Sequence, residues 1–304
     1  KILRVSIILT MTNPVTLASG IAEFVPKYEA FIIDLWGVIH DGVSLYSGVI
    51  DCLQKISDTG KPYLMLTNAP RRAAAVAKSM DFMGMPPRLQ PTIISSGEAT
   101  RLGLEERRDP WFDGVGNAFL HIGPERDDGL FENLDMYRVP NVEQADLIVN
   151  TGPWGDNETV TDYENTLQEG AAKGIKMVCA NPDLEVIRGG SRIICAGALA
   201  KRYEQMGGDV LYYGKPHKPI YDICLYQLGN PSIEKVLAIG DSLATDISGA
   251  VGVGIDSILV VGGIHGEEFR EHSTKNKDAI ERRITSVCAR VGHFPMAAIN
   301  TFNW

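Results

Sequence analysis

The chain lacks any CxxC pair, and its five cysteines (Cys52, Cys179, Cys195, Cys224 and Cys288) are odd in number and scattered. That argues against a disulfide framework and a structural zinc site, and for a reducing compartment. No apolar stretch approaches the roughly 18 residues that span a bilayer. The segment from Lys1-Ile2-Leu3-Arg4 to Ile7-Ile8-Leu9 faintly resembles a signal peptide. Its apolar core of about five residues falls short of the roughly 7–15 expected, so the cytoplasm is the expected location. Met11 is an equally good natural start, which would make the first ten residues an extension. A net charge of −9 over 304 residues argues against nucleic acid or an anionic membrane surface as partner. It leaves room for a small anionic substrate, because a local lysine and a bound divalent cation override the global field. Also missing are a Gly-x-Ser-x-Gly nucleophile elbow, a Walker loop, and a Gly-x-Gly-x-x-Gly followed by a ribose-binding acid.

What is present is one design used four times. Ala30-Phe31-Ile32-Ile33 ends in Asp34 and a glycine turn, Leu35-Trp36-Gly37-Val38. Tyr63-Leu64-Met65-Leu66 ends in Thr67-Asn68, Val210-Leu211-Tyr212-Tyr213 in Gly214-Lys215-Pro216, and Val236-Leu237-Ala238-Ile239 in Gly240-Asp241-Ser242. Each run reads as a buried strand that delivers a polar side chain at its carboxyl end, the edge where α/β sheets bind ligands. Singly, each is commonplace: Asp34 as a turn or N-cap residue, Thr67-Asn68 as a helix cap, Gly-Lys-Pro as a turn. Asp, Thr/Asn, Lys and Asp together, in that order, describe a site for a cation and a phosphate.

The first half alternates strands and helices, which predicts a parallel sheet. Apolar residues at Val49, Ile50, Leu53 and Ile56 have helical spacing, and Gly60-Lys61-Pro62 stops that helix. Around Arg107–Gly116 the texture turns to charge, proline and glycine. We place a boundary there, giving a core of residues 1–106 and 210–304 with a second α/β unit, 107–209, inserted. Expected strands in that unit are Ala118–Ile122, Ala145–Asn150 and Lys176–Ala180, with a helix over Thr161–Lys173. The strand before Lys215 is expected to return the chain to the core. An inserted unit above the strand edge is positioned as a lid.

On this reading Asp34 is a nucleophile toward phosphorus, and Asp241 helps bind Mg²⁺, a hard cation taking carboxylate and phosphate oxygens. Lys215 supplies a second positive charge and pairs with Asp34 in the resting site. The Thr67 hydroxyl and the Asn68 backbone N–H hold phosphate oxygens at a helix mouth. Asp246, five residues beyond Asp241, anchors Lys215 or a metal-bound water. His40, His121, His217 and His265 show no metal-ligand spacing; His40 and His217 lie nearest the site motifs.

These motifs, Asp34-Leu35-Trp36-Gly37-Val38, Thr67-Asn68, Gly214-Lys215-Pro216 and Gly240-Asp241 with Asp246, resemble those of the haloacid dehalogenase superfamily of hydrolases. The likeness covers nearly the whole chain from about Ile21 and is strongest to the class IIA group of NagD and p-nitrophenyl-phosphatase-like enzymes. It implies a doubly wound, Rossmann-like parallel sheet core with an inserted α/β cap domain. It also implies Mg²⁺-dependent hydrolysis of a small phosphorylated metabolite through an aspartyl-phosphate. The Trp36 backbone carbonyl would join Asp34 and Asp241 at the cation, with Asp246 behind them. Ala180-Asn181-Pro182-Asp183 looks like the cap loop that selects substrate in this group, which makes Asn181 and Asp183 the specificity candidates. A homodimer through the cap is also compatible.

One departure stands out. Phosphatases of the family carry a second Asp two residues after the nucleophile, where it protonates the leaving alcohol; here that residue is Trp36. General acid–base catalysis is typically worth about 10²–10⁴-fold. The substitution implies a slow enzyme, a leaving group that needs no proton such as an acyl phosphate, or cleavage of another bond. A catalytically weak phosphometabolite-binding protein is the alternative. Asp41 or His40, in the following turn, is the candidate replacement acid.

Overall fold

The computed structural model describes residues 14–188, 191–264, 266 and 276–304. The N-terminal segment read against a signal peptide, with Met11, and His265 lie outside the described residues. The larger sheet has seven strands: β1 (Thr16–Ala18), β2 (Ala30–Asp34), β3 (Tyr63–Thr67), β4 (Ile93–Ser95), β12 (Val236–Gly240), β13 (Asp256–Val260) and β14 (Ala297–Ile299). Their order is β1-β14-β13-β12-β2-β3-β4, and every pairing is parallel. From β2 the chain winds outward through β3 and β4; on returning it builds the other half from β12. The topological switch point therefore falls between β2 and β12, the crevice where open α/β sheets take ligands.

Both faces of this sheet are covered, which is why its strands read as unbroken apolar runs. Side chains alternate across it. Phe31, Ile33 and Met65 enter one cluster with Val49, Leu53 and Ile56 of α1 (Val49–Asp58). Ala30, Ile32, Leu64 and Leu66 enter the other with Ile220, Tyr221 and Cys224. The helical spacing at Val49, Leu53 and Ile56 thus marks the stripe that α1 buries.

The second sheet is built from β5 (Ala118–Ile122), β6 (Tyr137–Arg138), β7 (Leu147–Asn150), β8 (Lys176–Cys179) and β11 (Val210–Tyr212), in the order β11-β8-β7-β5-β6, again all parallel. A hairpin, β9 (Glu185–Arg188) and β10 (Ser191–Ile194), stands apart as an antiparallel pair. The sequence is thus an α/β chain whose doubly wound core sheet is interrupted by a second α/β unit. One assignment needs correction: β11 pairs with β8, so the strand before Lys215 belongs to the second sheet and not to the core. The chain regains the core only after Tyr212. Among the described residues no helix is long and apolar enough to cross a membrane.

Candidate active site

β2 ejects Asp34 at the switch point, and the chain turns at once through Gly37, whose φ of 82° is open to glycine and strained for other residues. A Cβ there would lie 1.9 Å from the Asp241 Oδ2 at the end of β12, so this glycine lets the two loops meet. Lys215 Nζ donates to Asp34 Oδ1 at 2.5 Å and to Asp246 Oδ1 at 2.6 Å, all three residues being buried. Asp246 Oδ2 also accepts from the Ser242 backbone N–H at 3.1 Å, which closes its loop. Asp34, Asp241 and Asp246 offer carboxylate oxygens within 4.8 Å of one another.

The electrostatics follow from that count. Three buried carboxylates face one ammonium, so full ionisation leaves two excess negative charges. Burial and the nearby Asp246 charge push Asp241 up to about 8, against a hydrogen bond from the Ile264 N–H that lowers it. Asp34 is also raised, by burial first, with Lys215 opposing. Lys215 is raised despite its burial, because Asp246 and Asp34 favour its charged form. Such a set, all oxygen and short of positive charge, suits a hard divalent cation.

Asn68 does more than its expected backbone role. Its side-chain carbonyl accepts the Lys215 N–H at 2.7 Å, and its amide donates to the Lys215 carbonyl at 3.0 Å and to Asp183 Oδ1 at 2.9 Å. Thr67 Oγ1 accepts from the Ala69 N–H at 3.2 Å. Asn181 Oδ1 accepts from the Asp183 N–H at 3.0 Å, which ties it to the one residue of that loop bonded at the site edge. Asp183 reaches it by bonding to Asn68.

Trp36 reaches toward the second sheet: its indole N–H donates to the Ile187 carbonyl of β9 at 2.9 Å. Its ring also meets the His40 ring edge-on at 5.4 Å. The candidate replacement acids are poorly suited to the task. Burial lowers His40 to about 4, leaving it neutral at pH 7, and its Nδ1 accepts from the Gly42 N–H at 3.0 Å. Burial raises Asp41, but the N–H groups of Ser44 and Val43 together help hold it below the usual carboxylate range. His217 stacks on Tyr212 at 5.1 Å, and His121 pairs with Thr151 Oγ1 at 2.9 Å.

Two participants were not legible as such. The Ile264 N–H donates to Asp241 Oδ2 at 2.6 Å, beside Gly263, where a Cβ would stand 2.2 Å from the same oxygen. Tyr221 Oη donates to the Asp246 carbonyl at 3.3 Å. Gly262-Gly263 after the apolar run Ile258–Val261 is a further strand-end glycine turn, and that signal was available in the sequence.

Comparison with known proteins agrees with this arrangement. Residues 31–136 match a family model described as haloacid dehalogenase-like hydrolase, and residues 212–287 match a HAD-hydrolase-like model. A solved hydrolase of the haloacid dehalogenase-like family from Brucella suis 1330 is 30% identical, with a TM-score of 0.79, over 94% of this chain and 100% of its own. The 5'-nucleotidase YutF of Bacillus subtilis (strain 168) is 24% identical over 268 residues, 86% of this chain and 96% of that protein. The p-nitrophenyl phosphatase from Archaeoglobus fulgidus shares the fold at a TM-score of 0.66 and 19% identity, over 91% of this chain and 97% of its own. By its near-full-length likeness to the Brucella protein, this chain belongs to the haloacid dehalogenase-like hydrolases, in their class IIA group.

Proposed function

We propose that this enzyme is a Mg²⁺-dependent phosphatase of a small phosphorylated metabolite, working through an aspartyl-phosphate on Asp34. The observation that carries the reading is the buried set of three carboxylates around one lysine at the switch point. Relatives whose names describe a nucleotidase and a nitrophenyl phosphatase support it. Asp34, Asp241 and the Trp36 backbone carbonyl would hold Mg²⁺ with Asp246 behind them, supplying positive charge that lets a carboxylate approach a phosphate dianion. Asp34 attacks phosphorus, and the bond to the leaving oxygen breaks. Water then cleaves the acyl phosphate, releasing phosphate and restoring the carboxylate. Lys215, Thr67 and Asn68 orient the phosphoryl oxygens. The negative net charge fits a small-molecule partner and not nucleic acid. The free, buried cysteines fit a reducing, cytoplasmic setting.

A narrower version is favoured by Trp36. With an indole committed to Ile187 and no suitable acid in the following turn, leaving groups that need no proton should react fastest. The test is phosphate release from p-nitrophenyl phosphate, acetyl phosphate and a metabolite panel, with and without Mg²⁺, alongside Asp34→Asn. Turnover that needs Mg²⁺ and disappears in the mutant supports the phosphatase. Turnover confined to acetyl phosphate supports the narrower version. Ligand-induced thermal shifts without any turnover would replace both with a phosphometabolite-binding protein, and turnover of phosphonates or haloacids instead would mean a different bond.

A further inference from the structure

Loops at the carboxyl end of the second sheet carry charge that the Asp34 site does not use. Arg126 follows β5, Asp156 follows β7, and Arg188 ends β9. Arg126 and Arg188 share the single Asp156 carboxylate, at 3.9 and 3.3 Å. Arg188 directly follows Ile187, whose carbonyl is held by the Trp36 indole from the loop after Asp34. The hairpin that carries Arg188 therefore borders the reaction site.

Arg71 approaches from the core, three residues after Asn68. It is half-buried, and its guanidinium makes a long 3.4 Å bond to a neutral acceptor, Ser79 Oγ. Its surroundings are charged. Burial lowers its pKa, the Asp127 carboxylate raises it, and the charges of Arg126 and Arg188 lower it again. Asp127 is itself buried, with its Oδ1 lacking a hydrogen-bond partner among the described residues. Two guanidiniums on the single Asp156 carboxylate leave positive charge in excess there, in a chain of net charge −9, and the electrostatic influence of both on Arg71 adds a third nearby. Guanidinium clusters of this kind bind carboxylates and phosphates in a bidentate manner.

We propose that Arg71, Arg126 and Arg188 form a second anion subsite, so that the substrate is a small phosphate ester carrying a carboxylate or a second phosphate at its far end. This rests on the reading of Asp34 as the phosphoryl acceptor. Trp36, lying between the two positions, packs against the carbon skeleton that joins them.

The test compares 3-phosphoglycerate and 1,3-propanediol bisphosphate with glycerol 3-phosphate, whose tail is neutral, in the full chain with Mg²⁺. The expected ratio of kcat/KM, doubly anionic over neutral-tailed, is about 10–100, as charge-assisted hydrogen bonds imply. Arg188→Gln and Arg126→Gln, at side chains about half exposed and therefore tolerant of change, should each pull that ratio toward one. Arg188→Lys should restore part of it. Preference between the two doubly anionic probes tells carboxylate from phosphate. A ratio near one that the arginine variants leave unmoved overturns the subsite, even if p-nitrophenyl phosphate is hydrolysed well. If nothing is hydrolysed, the phosphatase reading fails by itself. The subsite is then decided by calorimetric binding of the same probes to Asp34→Asn protein, where equal affinity for 3-phosphoglycerate and glycerol 3-phosphate overturns it.

Discussion

Asp34 and Asp241 were readable because four apolar runs end in polar residues in one order, although each carboxylate alone is commonplace. Lys215 was readable for its place in the order of strand ends. The second duty of Asn68, clasping Lys215 by both backbone groups, could not be read, since 147 residues separate the two. Trp36 was visible as a departure, but its partner Ile187 lies 151 residues away on a hairpin that the sequence reading left out. The residue scale also yields a prediction about pH. Burial raises Asp127 to about 6 from an ordinary 3.8. The folded state therefore holds the proton more tightly than the unfolded chain does. The resulting stability is fully present below the ordinary value and is lost as pH rises through 6. Asp127→Asn should melt above the wild type at pH 8, by up to about 3 kcal/mol, with the gap closing toward pH 4. Melting curves at pH 8, 6 and 4.5 check this; a gap independent of pH would refute it.

Elements were legible where length and periodicity agreed. Ala118–Ile122 was expected at its observed bounds, and the expected helix over Thr161–Lys173 contains the observed helix Glu164–Ala172, preceded by a tighter turn at Val160–Tyr163. β11 was assigned to the wrong sheet for a physical reason: three half-buried residues show no pattern that names a partner. The hairpin β9 and β10 was missed because each strand has only two apolar residues beside polar or charged ones and buries no continuous run. A long helix, Lys277–Val291, was overlooked although Ile280, Ile284, Val287, Cys288 and Val291 have helical spacing. Element packing makes its own prediction at Gly97, in the first turn of the helix Ser96–Glu106. A Cβ there would sit 2.5 Å from the Pro70 backbone carbonyl and 2.6 Å from the Arg71 nitrogen. Neither neighbour is a flexible side-chain tip, so Gly97→Ala should cost about 1–3 kcal/mol of stability. Urea unfolding measures it, and an unchanged midpoint would mean that the segment yields freely.

At the scale of the whole molecule, two parallel sheets of different size are joined through contacts such as Trp36 to Ile187 and Asn68 to Asp183. The larger contributes the negative cluster; the smaller and the Arg71 segment contribute the guanidiniums. Because the core cluster is short of positive charge, added Mg²⁺ should stabilise the folded chain. At a hundredfold excess over its dissociation constant the gain is about 2.7 kcal/mol. Scanning calorimetry should show this shift in the wild type and lose it in Asp241→Asn. A wild type indifferent to Mg²⁺ would remove the cation from the proposal.

The correction at β11 has a mechanical side. Only Tyr213 and Gly214 lie between Tyr212, hydrogen-bonded into the second sheet, and Lys215 in the buried ion pair. Any swing of the second sheet would therefore pull on Lys215 through two residues. Asn68 acts as strain relief. Its bond to Asp183 ties it to the loop after β8, while its two bonds to the Lys215 main chain moor the lysine to the core. The bending falls on Gly214, whose φ of 120° lies outside the range that other residues adopt easily. A bend taken up at Gly214 would leave the neighbouring charge in place.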